Sequence, residues 1–352
     1  MKIFRGLHHA ALKVGDGRDL RCALTIGNFD GVHRGHQAML ALLNNEAAHR
    51  GLPSCVLTFE PHPRDYFASV GSSRADRLSA PHAPARIATL RDKLVELARC
   101  HVDQTVVLPF NERLASLPPR QFIDDVLVNG LGAGYVLVGD DFRFGAGRAG
   151  DYQTLDSIAD ACGFDVARMN SYEVHGERVS SSIVRRALGQ GAMDEVARLL
   201  GRPYSVSGHV VHGRKLGREL GFRTLNLRFS HWKPAASGIF VVVVHGLSDR
   251  PIPGVANMGV RPSLDPDDVN GGRVLLETHC LSWPDALGPE GAYGKIIRVE
   301  LLHKLHDELK YDGLDALQKG IASDCEQARA YFASSPALSH AETRRQTTRD
   351  RI

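Results

Sequence analysis

A five-residue apolar run, Cys22-Ala23-Leu24-Thr25-Ile26, leads directly into Gly27-Asn28-Phe29-Asp30-Gly31-Val32-His33-Arg34-Gly35-His36, and helical spacing of apolar residues follows. The run is partly β-branched, the pattern of a buried parallel strand. Over residues 36–49 the apolar positions Met39, Leu40, Leu42, Leu43 and Ala47 fall mainly on one side at helical spacing. Three glycines, a carboxylate and two imidazoles therefore gather at the amino end of a helix. Such an end presents unpaired N–H groups and the positive pole of the helix dipole, and glycine lets backbone approach phosphate closely. The stretch predicts a nucleotide triphosphate site. Gly35 removes a side chain between His33 and His36, so both rings can face one phosphoryl group and stabilise charge that grows during transfer. A zinc site on these two histidines would need nearby thiolates or a third ligand, and the sequence offers neither.

Short apolar strands over residues 54–59, 105–108, 135–138 and 164–169 alternate with helical patterns over 85–100 and 120–128. That alternation predicts an α/β architecture, an open, doubly wound, Rossmann-like parallel sheet, with ligands bound beyond the carboxyl ends of the strands. Pro61-His62-Pro63 and Gly139-Asp140-Asp141-Phe142-Arg143-Phe144-Gly145 each fall after such a strand. The first reads in isolation as a rigid loop; the second combines carboxylates, a cation and aromatic surfaces. Ser180-Ser181-Ser182 precedes a helical pattern, where hydroxyls cap the helix and can also bind phosphate, with Arg178 and Arg185 close by. Gly145-Ala146-Gly147-Arg148-Ala149-Gly150 is a formal GxGxxG. Its glycines begin well past the strand end at Gly139, so a dinucleotide-binding fingerprint is rejected.

Beyond residue 203 the pattern changes to short strands divided by Gly and Pro, over 205–211, 238–244, 274–281 and 296–302, with helical patterns at 194–200 and 314–331. This predicts a small antiparallel barrel closed by a helix. Glu277 alternates with Leu275, His279 and Leu281, and a carboxylate among apolar neighbours needs a reason to be there. Residues 288–295 approach a P-loop, but the spacing is one residue too long and Ile296 stands where a hydroxyl is required. A length of 352 residues with 43% hydrophobic content supports two cores. The expected division is a nucleotide-binding α/β domain over 1–186, a connecting helix over 187–202, the barrel over 203–333 and a disordered tail over 334–352. With 43 basic and 40 acidic residues, net charge is +3 and gives no broad attraction for nucleic acid or membranes. Six scattered cysteines without a CxxC pair, and no apolar run near the roughly 18 residues of a membrane helix, place the chain in the cytoplasm as a reduced protein.

GNFDGVHRGH, TFEPHP at 58–63, VGDDFRFGAG at 138–147 and VSSSIVRRAL at 179–188 together resemble the bacterial bifunctional riboflavin kinase and FAD synthetase family. GRPYSVSGHVVHG, GRELGF, GVANMGVRPS and VLLETHC resemble its kinase half, and the similarity covers about residues 15–333. The resemblance implies adenylylation of FMN by ATP in the first half and phosphorylation of riboflavin by ATP in a Greek-key barrel of the riboflavin kinase type. It implies Mg²⁺, ATP as co-substrate and no tightly bound prosthetic group; the partners are riboflavin, FMN and ATP, and oligomeric state is not specified. In the first half His33 and His36 would act at the α phosphate, with Gly27, Asn28, Phe29, Asp30, Gly31 and Gly35 around the triphosphate and Arg178, Ser181 and Ser182 around the departing pyrophosphate. Pro61, His62, Pro63, Asp141 and Phe142 would form the flavin and nucleotide loops. In the second half Glu277 would be the catalytic carboxylate, Gly213, Gly217 and Gly221 a phosphate cover, and Thr224 and Asn226 the Mg²⁺ ligands. Arg223 and Leu225 replace the proline and alanine of the family's PTAN, and His306 stands where the family carries Arg. A second reading keeps the adenylyltransferase and gives the barrel flavin binding without kinase activity. A regulatory or RNA-binding role is disfavoured by the neutral charge balance.

Overall fold

The computed structural model describes residues 1–7, 21–70, 84–174, 176–212, 221–229, 233–260, 274–288 and 290–334. The expected tail, Gly213 and Gly217, and the end of the GVANMGVRPS segment lie outside the described residues. The chain separates into two units. One comprises Met1–Pro84 with Leu90–Ser181, the other Ala85–Thr89 with Ser182–Ile352.

The first unit is a six-stranded parallel sheet of β1 (Lys2–Arg5), β2 (Cys22–Ile26), β3 (Ser54–Glu60), β4 (Gln104–Pro109), β5 (Ala133–Gly139) and β6 (Asp165–Met169), in the spatial order β1-β4-β3-β2-β5-β6. All five residues of β2 are buried. Cys22, Leu24 and Ile26 join the core on one face with Phe122, Ile123 and Leu127, while Ala23 meets Leu43 and Ala47 of helix α1 (Arg34–Arg50) on the other. Two-sided burial explains why the strand reads as an unbroken apolar run. From β2 the order steps outward through β3 and β4 in one direction and through β5 and β6 in the other. The reversal lies between β2 and β5, the place where open α/β sheets bind ligands. Helix α1 ends at Gly51, whose left-handed φ of 65° suits glycine, after His49 and Arg50 in the last turn.

The helix expected over 85–100 is shorter than its apolar composition suggests. Only α3 (Leu90–Arg99) is helical, and Ala85–Thr89 packs with the second unit. Among the elements that the pattern does not give are the short helix α2 (Pro63–Ser69), and β1, whose Lys2 and Arg5 hide an edge strand parallel to β4. Around the formal GxGxxG, Phe144 and Gly150 form an isolated bridge. A side chain at Gly150 would meet the Phe144 ring at 2.7 Å and one at Gly145 would meet Pro119 at 2.9 Å. These glycines answer to packing.

The second unit follows helices α4 (Ser181–Gln190) and α5 (Met193–Leu200). It is a closed barrel of β9 (Tyr204–Val211), β10 (Thr224–Arg228), β11 (Gly238–His245), β12 (Ile252–Val260), β13 (Val274–Cys280) and β14 (Ile296–His306). A two-residue hairpin pair, β7 (Glu173–Val174) and β8 (Glu177–Arg178), precedes it in the first unit. Strands β10 to β13 lie in the order β10-β13-β12-β11, a Greek key. Leu225, Leu227, Leu276 and Phe240 fill the interior. Helix α6 (Leu314–Ser334) covers part of the outer wall, where Cys325 and Ala328 pack on Val241 and Val255.

Candidate active sites

In the first unit, the loop between β2 and α1 carries positive φ at Phe29 (48°), Gly31 (83°) and Val32 (41°). Left-handed backbone at a phenylalanine and a β-branched valine is costly and persists where packing enforces it. Here Phe29 and Val32 are both 1% exposed in the core beneath α1. The tight loop delivers His33 to the N-cap of α1, where its Nδ1 accepts the backbone N–H of His36 at 3.3 Å. A neutral His33 with Nδ1 as acceptor carries its proton on Nε2. The His33 and His36 rings stack with centroids 3.6 Å apart and planes at 17°, and Phe29 backs His36 at 5.0 Å. A Cβ on Gly35 would sit 3.2 Å from His33 Nδ1 and 3.2 Å from the Val179 carbonyl oxygen, so glycine there lets the imidazole and the segment before α4 close on the turn.

Three further segments reach this turn. Ser181 Oγ donates to the Asp30 carbonyl at 3.1 Å, tying the serine run to the first motif. Thr58 Oγ1 donates to the Asn28 carbonyl at 3.3 Å and accepts from Lys93 Nζ at 3.3 Å. Lys93 is fully buried on α3 beside Leu97, and the sequence reading passed over it. Its position four residues before Leu97 on the apolar stripe was the available signal. Asn28 Oδ1 is buried and accepts no hydrogen bond from a described residue. Arg178 lies on the exposed side and pairs with Asp141 at 2.8 Å and Asp140 at 3.4 Å, joining the serine segment to the loop after β5. The Ser171 hydroxyl and Arg178 hold the Asp140 carboxyl below its ordinary range. Asp141 is largely exposed. Phe142 stacks on Phe144 at 5.4 Å and packs against the core, while Ser182, next after Ser181, is exposed.

Pro61 follows a cis peptide, and His62 is 4% exposed at the N-cap of α2, where its Nδ1 accepts the Arg64 N–H at 3.1 Å. His62 thus shapes the loop, and Pro63 begins the helix where its missing donor is harmless. Helix α2 adds an aromatic group that the sequence reading missed, Tyr66 and Phe67 edge-to-face with Phe110 at 5.4 and 5.7 Å, with Phe67 60% exposed.

A Gly35→Ala variant is expected to fold, since alanine suits a helix. The added methyl pushes on His33, and the FAD formation that the family resemblance implies is expected to fall by about tenfold or more, because reacting groups tolerate little displacement. Thermal melting alongside a product assay checks both halves of that expectation.

In the second unit, β10 and β13 set Asn226 opposite Glu277 and Thr224 opposite His279. Facing residues in an antiparallel pair share a side of the sheet. Leu225 pairs with Thr278 on the interior side, so leucine in place of the family's alanine is a core residue, 2% exposed. Arg223 lays its guanidinium over the Trp283 ring at 4.5 Å, and its carbonyl binds His279 Nδ1 at 2.9 Å. Both departures from PTAN therefore leave the Thr224 and Asn226 oxygens on the outer wall with Glu277. Asn226 is 4% exposed and Glu277 half-buried. Gly221, with φ of 85° and open space around its Cα, precedes β10.

His306 ends β14 in an ion pair. Its Nε2 meets Asp324 Oδ1 on α6 at 2.8 Å and its Nδ1 meets the Asp307 carbonyl at 2.7 Å. Burial alone would lower its pKa, but the bonds to Asp324 and the carbonyl outweigh burial and raise it. A raised folded-state pKa contributes stability that is complete below the unfolded value of about 6.5 and is lost as pH rises through the folded value. Melting of the protein is expected to weaken from pH 6 upward more steeply in wild type than in His306→Gln. Below pH 6 the variant is expected to be less stable by about 1–3 kcal/mol, because Asp324 is left buried without its partner.

A family model described as FAD synthetase matches residues 17–183, and one described as Riboflavin kinase matches residues 200–332. The chain is 41% identical over 332 residues to the bifunctional riboflavin kinase/FMN adenylyltransferase of Escherichia coli (strain K12), covering 94% of this chain and 98% of that protein. It is 40% identical over 335 residues to the protein of the same description from Pseudomonas fluorescens, covering 95% and 99%. A solved structure from Streptococcus pneumoniae described as a macrolide-efflux protein shares the fold, with a TM-score of 0.70 at 24% identity over 94% of this chain and 99% of that one.

Proposed function

The chain belongs to the bifunctional riboflavin kinase/FMN adenylyltransferase family, and from that premise we propose how its two units divide the two ATP-dependent transfers. The parallel-sheet unit converts FMN and ATP to FAD and pyrophosphate. An FMN phosphate oxygen attacks the α phosphorus of ATP, and the bond from that phosphorus to the bridging oxygen breaks as pyrophosphate leaves. The nucleophile is already ionised near neutral pH, so the protein supplies positioning and charge stabilisation and no strong base. His33 and His36 take that role at the amino end of α1, where dipole and N–H groups favour phosphate. Ser181 and Ser182 open α4 beside them. Arg178 reaches pyrophosphate by exchanging its Asp140 and Asp141 partners for phosphate oxygens, and the exposed Phe67 and its aromatic neighbours offer a platform for a planar ring. The observation that carries this reading is the stacked His33–His36 pair at the sheet's switch point, with Ser181 tied to the same turn.

The barrel converts riboflavin and ATP to FMN and ADP. The ribityl 5′-hydroxyl oxygen attacks the γ phosphorus, its proton passes to Glu277, and the bond to the β-phosphate oxygen breaks. Thr224 and Asn226 offer neutral oxygens, which suits Mg²⁺ already carrying phosphate ligands better than a self-sufficient protein cage. Among the described residues no group of three or more His, Cys, Asp or Glu could hold a metal by itself. Mg²⁺ bound there would neutralise phosphate charge. The second reading, a barrel without kinase activity, gains no support: Thr224, Asn226 and Glu277 share one wall and the relatives carry both activities in their names. Among the described residues no helix is long and apolar enough to cross a membrane, and a cytoplasmic setting fits these substrates. Feeding riboflavin and FMN separately with Mg·ATP tests the scheme. FMN and FAD are expected from riboflavin, and FAD with pyrophosphate from FMN; riboflavin returned unchanged would remove the kinase.

A further inference from the structure

The register of the barrel places a third polar residue beside Glu277. Asn257 on β12 pairs directly with Glu277 on β13, as Asn226 does from β10 on the other side, with no irregularity in either ladder. Asn226, Glu277 and Asn257 therefore form one row across three adjacent strands, with neighbours about 4.8 Å apart along the hydrogen-bonding direction. The row continues to Ile239 on β11. Ile239 belongs to the apolar patch that α6 covers with Cys325 and Ala328. The outer wall thus changes character along this row, from carboxamide through carboxylate and a second carboxamide to apolar surface.

Asn257 Oδ1 is buried and accepts no hydrogen bond from any described residue. A buried acceptor without a donor costs on the order of 1–3 kcal/mol, so a folded protein that retains one invites a ligand donor. Ile239 next in the row supplies none, and the Glu277 carboxylate, when ionised, is an acceptor itself. We infer that Asn257 Oδ1 accepts a hydrogen bond from a secondary hydroxyl of the substrate's polyol chain, adjoining the hydroxyl that Glu277 deprotonates. Asn257 is then a substrate-positioning residue, and the row has a direction: phosphate donor and metal at Asn226, proton acceptor at Glu277 and polyol at Asn257. The strand spacing sets neighbouring hydroxyls of one chain against neighbouring side chains of the row. The inference rests on the kinase reading of the barrel and adds to it a recognition element for the ribityl chain.

The test compares riboflavin with lumiflavin, in which a methyl group replaces the polyol. Kinase turnover is read as total FMN plus FAD formed by the full chain, and lumiflavin is scored as an inhibitor of that turnover. In Asn257→Leu the KM for riboflavin is expected to rise about tenfold with kcat within about twofold, the mark of lost uniform binding. The lumiflavin inhibition constant and the adenylylation of supplied FMN are expected to stay at wild-type values. Asn257→Val, which suits a strand and has no acceptor, carries the same expectation if the leucine variant fails to fold. An unchanged riboflavin KM, or a riboflavin KM and lumiflavin constant that rise together, overturns the inference. Loss of turnover in Glu277→Gln combined with an unchanged Asn257→Leu sinks this inference alone, while full turnover in Glu277→Gln sinks the kinase reading beneath it.

Discussion

His36→Ala in the full chain is expected to lower FAD formation from supplied FMN by about 10²- to 10³-fold, the cost of one donor at a developing oxyanion, while FMN formation from riboflavin continues at the wild-type rate. The ring is half-buried between His33 and Phe29 at the start of α1, so its loss removes the proposed phosphate-facing group without opening a core. His33 keeps its N-cap role, because its Nδ1 accepts the backbone N–H of residue 36 and needs no side chain there. The helix therefore survives, and a far-ultraviolet circular dichroism spectrum matching wild type accompanies the lost activity. A variant that loses FAD formation only in proportion to lost folded protein would assign His36 to packing.

Glu277→Gln carries the second large effect, in the opposite direction. Its replacement is isosteric and keeps β13 in register between Asn226 and Asn257. What disappears is the proposed proton acceptor, and riboflavin phosphorylation is expected to drop by about 10²- to 10⁴-fold. Adenylylation of supplied FMN is expected to proceed unchanged, since that step uses an already ionised nucleophile in the other unit. Glu277→Ala should match it in rate and lose some barrel stability besides. Product analysis by chromatography separates FMN from FAD directly.

The parts of the molecule legible in sequence are those where one physical requirement dominated. Strand β2 is buried on both faces, so four of its five residues are apolar and the fifth, Thr25, is fully buried with them. The following turn into α1 must be tight, and Gly35 shows why: a methyl group there would sit 3.2 Å from His33 Nδ1 and from the Val179 carbonyl oxygen. Strand β10 was harder to read because Thr224 and Asn226 face outward toward the site while Leu225 and Leu227 face the core, leaving five residues with a weak signal. Strand β12 hides its pattern behind Pro253, Gly254 and Gly259. At Gly254 a Cβ would meet the His279 carbonyl at 2.6 Å, so close strand approach overrode strand propensity. Residues 85–89 have helical composition but join the other unit, a tertiary choice that local periodicity does not encode.

Function was legible from motifs, and geometry added their grouping. Asp30 with Ser181, Asn28 with Thr58 and Lys93, and Asp140 and Asp141 with Arg178 join segments far apart in the chain. Lys93 gave no motif signal, and Asn257 lies within GVANMGVRPS with no role attached to it by the pattern. Each becomes visible only through burial or register, Lys93 as a fully buried cation supporting the first loop and Asn257 as the neighbour of Glu277.

Mixing the two damaged chains tests the division of labour most directly. His36→Ala and Glu277→Gln proteins, each given riboflavin and Mg·ATP alone, are expected to stop at FMN and at riboflavin respectively. Combined in one vessel they are expected to make FAD, because FMN released by the first is adenylylated by the second. Two folded variants that still yield no FAD when mixed, although FMN accumulates, would contradict two separable sites in one chain.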